Sequence, residues 1–406
     1  MQSIESRASW VVAWTALAAM SVSYGAPQVA VVALRQIAEN LGNARELPAL
    51  AYSLAWVGTA VGGLAMGRIA DRIGVRWTVS FGAAMVSVGL LVASGGAAWQ
   101  LILGHGLFIG LLGNAGLNAP LYVYVSRWFD RRRGTALALI SSGQYVAGVI
   151  WPSLFAWAIA AIGWQQTMRW FAGFEVLAVA PVALLMFGDP PEAIAPTAAL
   201  AGRHAASTVL GLHPNVALGL LGLAAFCCCV PMAMPQGHLV AFCGDLGIPA
   251  EQGAAMLSVL LGCAFISRQF WGWLSDRIGG LRTVLAASSF QFTAMTGFLM
   301  TQNEFGLFTV SALFGLGFSG LIPAYVLAVR ELFPPAEASW RVPTLLLFSG
   351  SGMAAGGWLA GWIYDHTGFY AAAFATGLAF NLLNLLVVLP LVLQWRHLQR
   401  TAFAAS

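Results

Sequence analysis

Residues Glu251 to Arg277 read EQGAAMLSVLLGCAFISRQFWGWLSDR, which predicts one long apolar helix. At about 1.5 Å per residue this run is long enough to cross a hydrocarbon core of about 30 Å. The single charge in its interior is Arg268, which precedes Asp276 by eight residues, or roughly 12 Å along a helix. Inserting a guanidinium group at that depth costs at least about 2.5 kcal/mol. We therefore expect Arg268 to face a cavity and to hold an anionic partner.

The composition is that of a membrane protein. Of the 406 residues, 59% are hydrophobic and 8% are charged, against about 25% charged residues in a soluble domain. The net charge of +4 is spread over a membrane protein and does not indicate nucleic-acid binding. Cys227, Cys228 and Cys229 are consecutive, so on a helix they point about 100° apart and cannot share one metal ion. We predict no metal site and no cofactor.

Apolar runs predict an all-α membrane protein with twelve transmembrane helices in two pseudo-symmetric six-helix halves. The predicted N-terminal half is 1–187, the cytoplasmic linker is 188–213 and the C-terminal half is 214–406. The linker is rich in prolines and small residues, which favour a connection over a helix. The predicted spans are 10–34, 48–66, 77–97, 100–127, 134–162, 168–187, 214–242, 252–275, 283–301, 305–332, 342–364 and 369–394.

The placement of arginine predicts the orientation. All 19 basic residues are arginines. With both termini in the cytoplasm, Arg35, Arg45 and Arg169 fall outside and Arg268 is buried, which leaves fifteen inside. Positive charge accumulates on the cytoplasmic side of membrane proteins. We therefore predict a multi-pass plasma-membrane protein with both termini cytoplasmic.

The two halves share an internal repeat. GRIADRIGVR at Gly67 to Arg76 matches GWLSDRIGGLR at Gly272 to Arg282 with an offset of 205. A second echo joins Pro120-Leu-Tyr-Val to Pro323-Ala-Tyr-Val. Repeated halves place a substrate site at their interface near the membrane midplane. The counterpart of Arg268 is Gly63, so a purely structural need for arginine does not predict the difference.

The motif that follows the second span resembles the signature of the major facilitator superfamily. The matching residues are Gly67, Asp71, Arg72, Gly74 and Arg76. In that family the acidic residue and the arginines close the cytoplasmic side by pairing with neighbouring helix ends. The resemblance therefore implies a cytoplasmic gate at the residues Asp71, Arg72, Arg76, Asp276 and Arg277. The alternative is that these charges only anchor the orientation.

Within that superfamily the chain resembles the monocarboxylate transporters, and in particular their bacterial proton symporters. Three stretches carry the likeness: RWFDRRRGTALA from Arg127, HLVAFCGDLGI from His238, and the Ser267-Arg268 pair before Gly272 and Asp276. The resemblance implies that Arg268 binds a substrate carboxylate.

Two positions depart from that family. Animal members often carry an aspartate, tied to proton coupling, where this chain has Ala264, and their acidic first-span motif is replaced by Ser23 to Pro27. The oxalate–formate antiporters also resemble this chain, but they add a lysine in span eleven. This chain has no lysine, and one cation suits a monocarboxylate.

Further residues complete the predicted site. His238, late in span seven, is the first candidate for proton coupling and for binding the carboxylate, because histidine changes charge near neutral pH. Glu175, expected eight residues into span six and nearer the outside, is the second proton candidate, unless it pairs with Arg268 as a structural ion pair. Tyr122 and Tyr325 occupy matching places in the halves, and Asn118 lies one turn before Tyr122. Each of these could instead be an ordinary interface residue.

We predict a secondary active transporter of a small, lactate- or pyruvate-like monocarboxylate, working by proton symport with alternating access. No catalytic or nucleotide-binding motif stands out, so we do not expect an enzyme. The expected partners are the carboxylate, a proton and the lipid bilayer, and we expect a monomer. An organic-anion exchanger, or an exporter of organic acids or drugs, keeps the same fold. A non-transporting membrane sensor is the alternative from another class.

Overall fold

The computed structural model describes residues 5–129, 132–188, 208–334 and 337–404, and these form helices joined by short connections. In chain order they are α1 (Arg7–Ser23), α2 (Ala26–Val32), α3 (Leu34–Asn40), α4 (Glu46–Ile73), α5 (Val75–Ala93), α6 (Ala98–Ile102), the π-helix π1 (Leu103–Asn114), α7 (Ala115–Ser126), α8 (Arg133–Ser141), α9 (Gly143–Ile162), α10 (Trp164–Met186), α11 (Pro214–Asp245), α12 (Ala250–Ile278), α13 (Gly280–Met300), α14 (Glu304–Phe318), α15 (Leu321–Leu332), α16 (Ala338–Thr367) and α17 (Tyr370–Ala404). The predicted all-α fold is confirmed.

The number of membrane-crossing helices agrees closely with the prediction. Ten segments of the described chain are long and apolar enough to cross a membrane, and the two arms of α4, bent by 51°, make an eleventh if they form one span. Each of these overlaps one predicted span. The remaining prediction, 342–364, falls inside α16, which has 30 residues. The glycine-rich middle of that helix lowers its hydropathy, but its length is sufficient.

Three of the predicted spans are not single regular helices. Span one is interrupted between α1 and α2, at Tyr24 and Gly25, and span ten is interrupted between α14 and α15, at Ser319 and Gly320. Span four contains π1, which runs for 12 residues. Long π-helical segments are rare and are frequently found at functional sites. Interrupted helices at membrane depth line the binding sites of many transporters.

The sequence repeat extends to the geometry of the turns. Gly74, before α5, has φ +90°, and Gly279, 205 residues later and before α13, has φ +86°. Gly163 and Gly368, also 205 apart, both have φ +79°. Glycine adopts this left-handed region without the steric penalty that other residues meet. Corresponding spans in the two halves therefore end and restart with the same kind of turn.

The packing divides the chain into two compact units. The first contains the described residues up to 188 together with Gly237–Gly262, and the second contains 208–236 and the described residues from Cys263 onwards. The C-terminal part of α11 and the N-terminal part of α12 thus pack with the first unit. Most of the predicted linker, 188–213, lies outside the described residues.

Close approach between helices in the first unit depends on small residues. A Cβ atom at Gly82 of α5 would lie 2.8 Å from the carbonyl oxygen of Gly113 in π1, and one at Gly89 would lie 2.7 Å from the carbonyl oxygen of Gly104. Small residues let membrane helices bring their backbones together. This contact sets π1 directly against its neighbours.

Candidate substrate site

Arg268 lies on α12, and its neighbours on that helix are bonded to the interrupted span ten. The hydroxyl oxygens of Ser267 and Ser319 are 2.7 Å apart, and Ser267 also donates to the carbonyl oxygen of Gly315 at 3.2 Å. One turn further along, the indole Nε1 of Trp271 donates to the carbonyl oxygen of Leu316 at 2.7 Å. Arg268 itself is half-buried. Its position is therefore tied to the end of α14 from both sides.

The break in span ten lies against the helix that carries Arg268. α14 ends at Phe318 and α15 begins at Leu321, with Gly320 as the residue before its first turn. A Cβ atom at Gly320 would lie 2.9 Å from Cδ1 of Trp271 and closer still to its Cβ. Trp271, which bonds α12 to span ten, therefore also packs against the residue that precedes α15.

Tyr325, the predicted hydroxyl donor of span ten, is fully buried in the second unit. Its hydroxyl donates to Oδ1 of Asn384 on α17 at 2.5 Å, and Nδ2 of Asn384 donates to the hydroxyl of Ser288 on α13 at 2.7 Å. These bonds join α15 to α13 and α17. The hydroxyl of Tyr325 therefore already has a partner, which the sequence pattern does not indicate.

The repeat places different chemistry at equivalent positions of the first unit. Gly63 corresponds to Arg268, and a Cβ atom there would lie 3.6 Å from Cβ of Ala119, which is ordinary packing distance. Gly116 corresponds to Ser319 at the offset of 203 that joins Pro120 to Pro323, so the hydroxyl that contacts Ser267 has no counterpart there. The first unit thus repeats the architecture around α12 without its cation.

In the first unit, the predicted site residue Asn118 contacts the break in span one. Its Nδ2 donates to the hydroxyl of Tyr24 at 2.7 Å. Tyr122, one turn further along α7, is half-buried. Tyr24, Asn118 and Tyr122 form a polar group that we call the span-one cluster. The structure joins Tyr24 to the face that Asn118 and Tyr122 share in the sequence.

Glu175 lies near the middle of α10. α10 starts at Trp164, so Glu175 is the twelfth of its 23 residues. The side chain is fully buried, and its Oε1 accepts a short hydrogen bond from the hydroxyl of Ser23. Its Oε2 is buried and accepts no hydrogen bond from the described residues. Ser23 is therefore the hydrogen-bond partner that the described residues give this buried carboxyl group.

Aromatic residues of α9 and of the helix that carries Glu175 pack against the break in span one. A Cβ atom at Gly25 would lie 2.7 Å from Cζ of Phe171 and from Cδ1 of Trp151. The indole Nε1 of Trp151 donates to the carbonyl oxygen of Ser21 at 2.7 Å. Only glycine fits at position 25 of this break, which lies against aromatic side chains of α9 and α10.

His238 is placed in the first unit, near the C-terminal end of α11. It is 1% exposed. The residue before it, Gly237, approaches α4, where a Cβ atom would lie 3.6 Å from Cε1 of Tyr52. His238 is thus buried against the N-terminal half of the sequence.

The predicted cytoplasmic gate residues Asp71, Arg72, Arg76, Asp276 and Arg277 are all exposed. Asp71 forms an ion pair with Arg127 at 2.7 Å, at the end of span four. The guanidinium carbon of Arg277 lies 4.0 Å from the ring centre of Trp273. The helix N-terminus on this side of the second unit is capped by another acid, since Glu331 Oε2 accepts from the backbone N–H of Gly280 at 2.9 Å. A carboxylate stabilises a helix N-terminus in this way.

The sequence did not predict the ion pair between Arg45 and Asp245. Nη1 and Nη2 of Arg45 lie 2.6 and 2.5 Å from the two carboxylate oxygens of Asp245, and Arg45 is 7% exposed. Nε of Arg35 lies 3.8 Å from the same carboxylate. This two-armed geometry is the strong form of an ion pair. The pair, which we call the outer clasp, joins the start of α4 to the end of α11, and the 200 residues between its members left no sequence signal.

Comparison with known proteins fits this architecture. The fold and the interrupted spans define a helical membrane transporter. The family profile described as "Major Facilitator Superfamily" matches residues 12–303 and 221–402. The chain belongs to the Major Facilitator Superfamily.

Relatives in the family are transporters of more than one kind. "Monocarboxylate transporter 13" of Rattus norvegicus is 26% identical over 334 residues, covering 79% of this chain and 75% of that protein. The Bos taurus protein of the same name is 27% identical over 337 residues, covering 79% and 75%. "MFS-type transporter pynF" of Aspergillus niger is 25% identical over 329 residues, covering 78% and 74%.

Solved structures share the fold at low identity. A bacterial homolog of the human lysosomal transporter Spinster superposes with a TM-score of 0.68 at 14% identity, covering 96% of this chain and 97% of that one. A point mutant of the nucleoside transporter NupG superposes with a TM-score of 0.73 at 11% identity, covering 94% and 99%. At these identities the likeness concerns the fold alone.

Proposed function

We propose that this transporter carries a small monocarboxylate, together with a proton, across the bacterial inner membrane by alternating access. The observation that carries the proposal is Arg268, a half-buried cation in α12 whose neighbours Ser267 and Trp271 are bonded to the break in span ten. A guanidinium group grips a carboxylate through two parallel hydrogen bonds. The names of the mammalian relatives support the same substrate class.

The remaining predicted residues have supporting roles in this proposal. Asn118 and Tyr122, in the span-one cluster, offer an amide and a hydroxyl to the substrate. Tyr325 supports span ten through Asn384. His238 is a candidate partner of the carboxylate.

Glu175 is the proton carrier that the buried geometry favours, with His238 as the competing candidate. One oxygen of Glu175 accepts a hydrogen bond from Ser23, next to the break in span one. The other oxygen accepts no hydrogen bond from the described residues. In this proposal, movement of span one at that break changes the surroundings of the carboxyl group. A proton held there is therefore coupled to the conformation of span one.

Two ion pairs act as gates at opposite ends in this proposal. Asp71 with Arg127 stabilises closure of the predicted cytoplasmic side. The outer clasp, Arg45 with Asp245, stabilises closure of the predicted external side.

Transport into proteoliposomes tests the function. Purified protein should take up labelled monocarboxylates from a panel that also contains dicarboxylates, neutral amides and nucleosides. An inside-alkaline pH gradient should drive monocarboxylates above equilibrium. Rapid counterflow without any effect of the gradient would instead identify an anion exchanger, and no uptake of any carboxylate would reject the substrate class.

A further inference from the structure

A second group of arginines lies far from Arg268, where α13 begins and α17 ends. Arg282 of α13 faces Arg396, Gln399 and Arg400 of α17 across a cavity of about 480 Å³. Nη2 of Arg282 donates to Oε1 of Gln399 at 2.9 Å. The positive-inside pattern predicts that this end of the helices is cytoplasmic.

The positive charge of this cavity is not neutralised by acidic side chains of the described residues. None of the ion pairs found among those residues includes Arg282, Arg396 or Arg400. Nε of Arg282 is buried and has no hydrogen-bond partner within the described chain. A buried donor without a partner is costly and points to an acceptor supplied from elsewhere.

An exposed apolar stripe leads along α17 into the same cavity. Leu386, Leu389 and Leu393 are 61%, 44% and 54% exposed. At about 100° per residue, these leucines and the arginines at 396 and 400 fall within about 80° of one another around the helix. One face of α17 is therefore apolar over its membrane-embedded turns and cationic where it leaves the membrane.

We propose that this cavity binds the phosphodiester headgroup of an anionic phospholipid, with an acyl chain lying along the leucine stripe. Basic pockets between helices at the cytoplasmic surface suit such headgroups. The guanidinium groups of Arg282, Arg396 and Arg400 supply the charge and the hydrogen bonds, and Arg282 gains the acceptor it lacks. A free phosphate compound shares the headgroup chemistry, but it would make no use of the stripe.

Native mass spectrometry of the full chain in detergent tests this site. Wild-type protein should bind cardiolipin and phosphatidylglycerol in preference to phosphatidylcholine. Because each arginine near a headgroup contributes about a fivefold change in affinity, the R396Q/R400Q variant should bind the anionic lipids on the order of 30-fold more weakly. The matched control is R7Q/R330Q, which removes the same charge from exposed positions on the same predicted side.

Three results would overturn the proposal. These are equal binding of phosphatidylcholine and phosphatidylglycerol, an equal loss in the R7Q/R330Q control, and displacement of the lipid by glycerol phosphate at the concentration at which short-chain phosphatidylglycerol displaces it. The last would identify a site for soluble anions. The substituted side chains at 396 and 400 are exposed, so the variants should keep the thermal unfolding temperature of the wild type.

Discussion

At the scale of single residues, the chemistry concentrates on one cation and one acid. Arg268 lies in a helix that is bonded to the interrupted span ten. Glu175 is buried beside the break in span one, where it accepts a hydrogen bond from Ser23. Composition and repeat alone pointed to Arg268, because it is the one charge inside its span and its counterpart is Gly63. The surroundings of Glu175 were not predictable, because they depend on where α10 begins.

Replacing Arg268 with lysine should reduce transport by about 100-fold while leaving folding intact. Lysine keeps the charge but loses the planar fork that grips both carboxylate oxygens, and hydrogen bonds to charged groups contribute up to about 3 kcal/mol each. The measurement is initial uptake into proteoliposomes. Arg330→Lys is the control, since Arg330 is exposed. Wild-type uptake by Arg268→Lys would show that Arg268 contributes only positive charge.

Replacing Glu175 with glutamine should abolish accumulation driven by a pH gradient and leave exchange of substrate at equilibrium largely intact. Glutamine keeps an acceptor for Ser23 but cannot release a proton. The measurement compares gradient-driven uptake with counterflow in the same vesicles. His238→Ala is the competing variant. If it loses accumulation and Glu175→Gln keeps it, the proton is carried by His238, as the sequence alone favoured.

At the scale of helices, the interruptions lie beside the proposed site, and they are the part of the fold that we did not predict from the sequence. Apolar runs locate spans because burial in lipid requires about 20 apolar residues. Apolarity itself carries no signal for a break, but Gly25 and Pro27 in span one and Gly320 and Pro323 in span ten are residues of the kind that mark one. The breaks follow from close packing, as at Gly25 against Trp151.

Replacing Gly320 with alanine should lower substrate affinity by at least about fivefold. The added methyl group would press on Trp271, three residues from Arg268, and overpacking of this kind costs about 1–3 kcal/mol. The measurement is the substrate concentration that gives half-maximal uptake. Gly272→Ala is the matched control, because nothing lies within 4 Å of a Cβ atom there. Equal effects of the two variants would mean that contact between α12 and span ten does not position Arg268.

At the scale of the whole molecule, the repeat of the turns was predictable from the sequence, whereas the packing of the C-terminal part of α11 was not. The 205-residue offset in sequence reappears in the positive φ angles of Gly74 and Gly279. The outer clasp did not follow from the repeat, because Arg45 and Asp245 belong to different halves of the sequence. Together with the packing of Gly237–Gly262 into the first unit, it shows that sequence halves and packing units differ.

The two proposed gates should respond to substitution in opposite directions. Asp71→Asn removes the pair with Arg127 and should speed labelling of a cavity cysteine from the cytoplasmic side. Arg45→Gln breaks the outer clasp and should speed labelling of the same cysteine from outside. Asp71 is more than half exposed and Arg45 is buried, so the second change should have the larger effect. Unchanged labelling from both sides would mean that these pairs only stabilise the fold.

The central claim is that Arg268 binds the carboxylate of the substrate, and equilibrium binding of matched ligands tests it most directly. The best-transported acid and its neutral amide are each titrated against wild-type protein and the Arg268→Gln variant. We predict that the wild type prefers the acid by on the order of 100-fold, and that the variant binds the acid and the amide equally weakly. Retention of the preference for the acid by Arg268→Gln would contradict the account, because the carboxylate would then be recognised elsewhere.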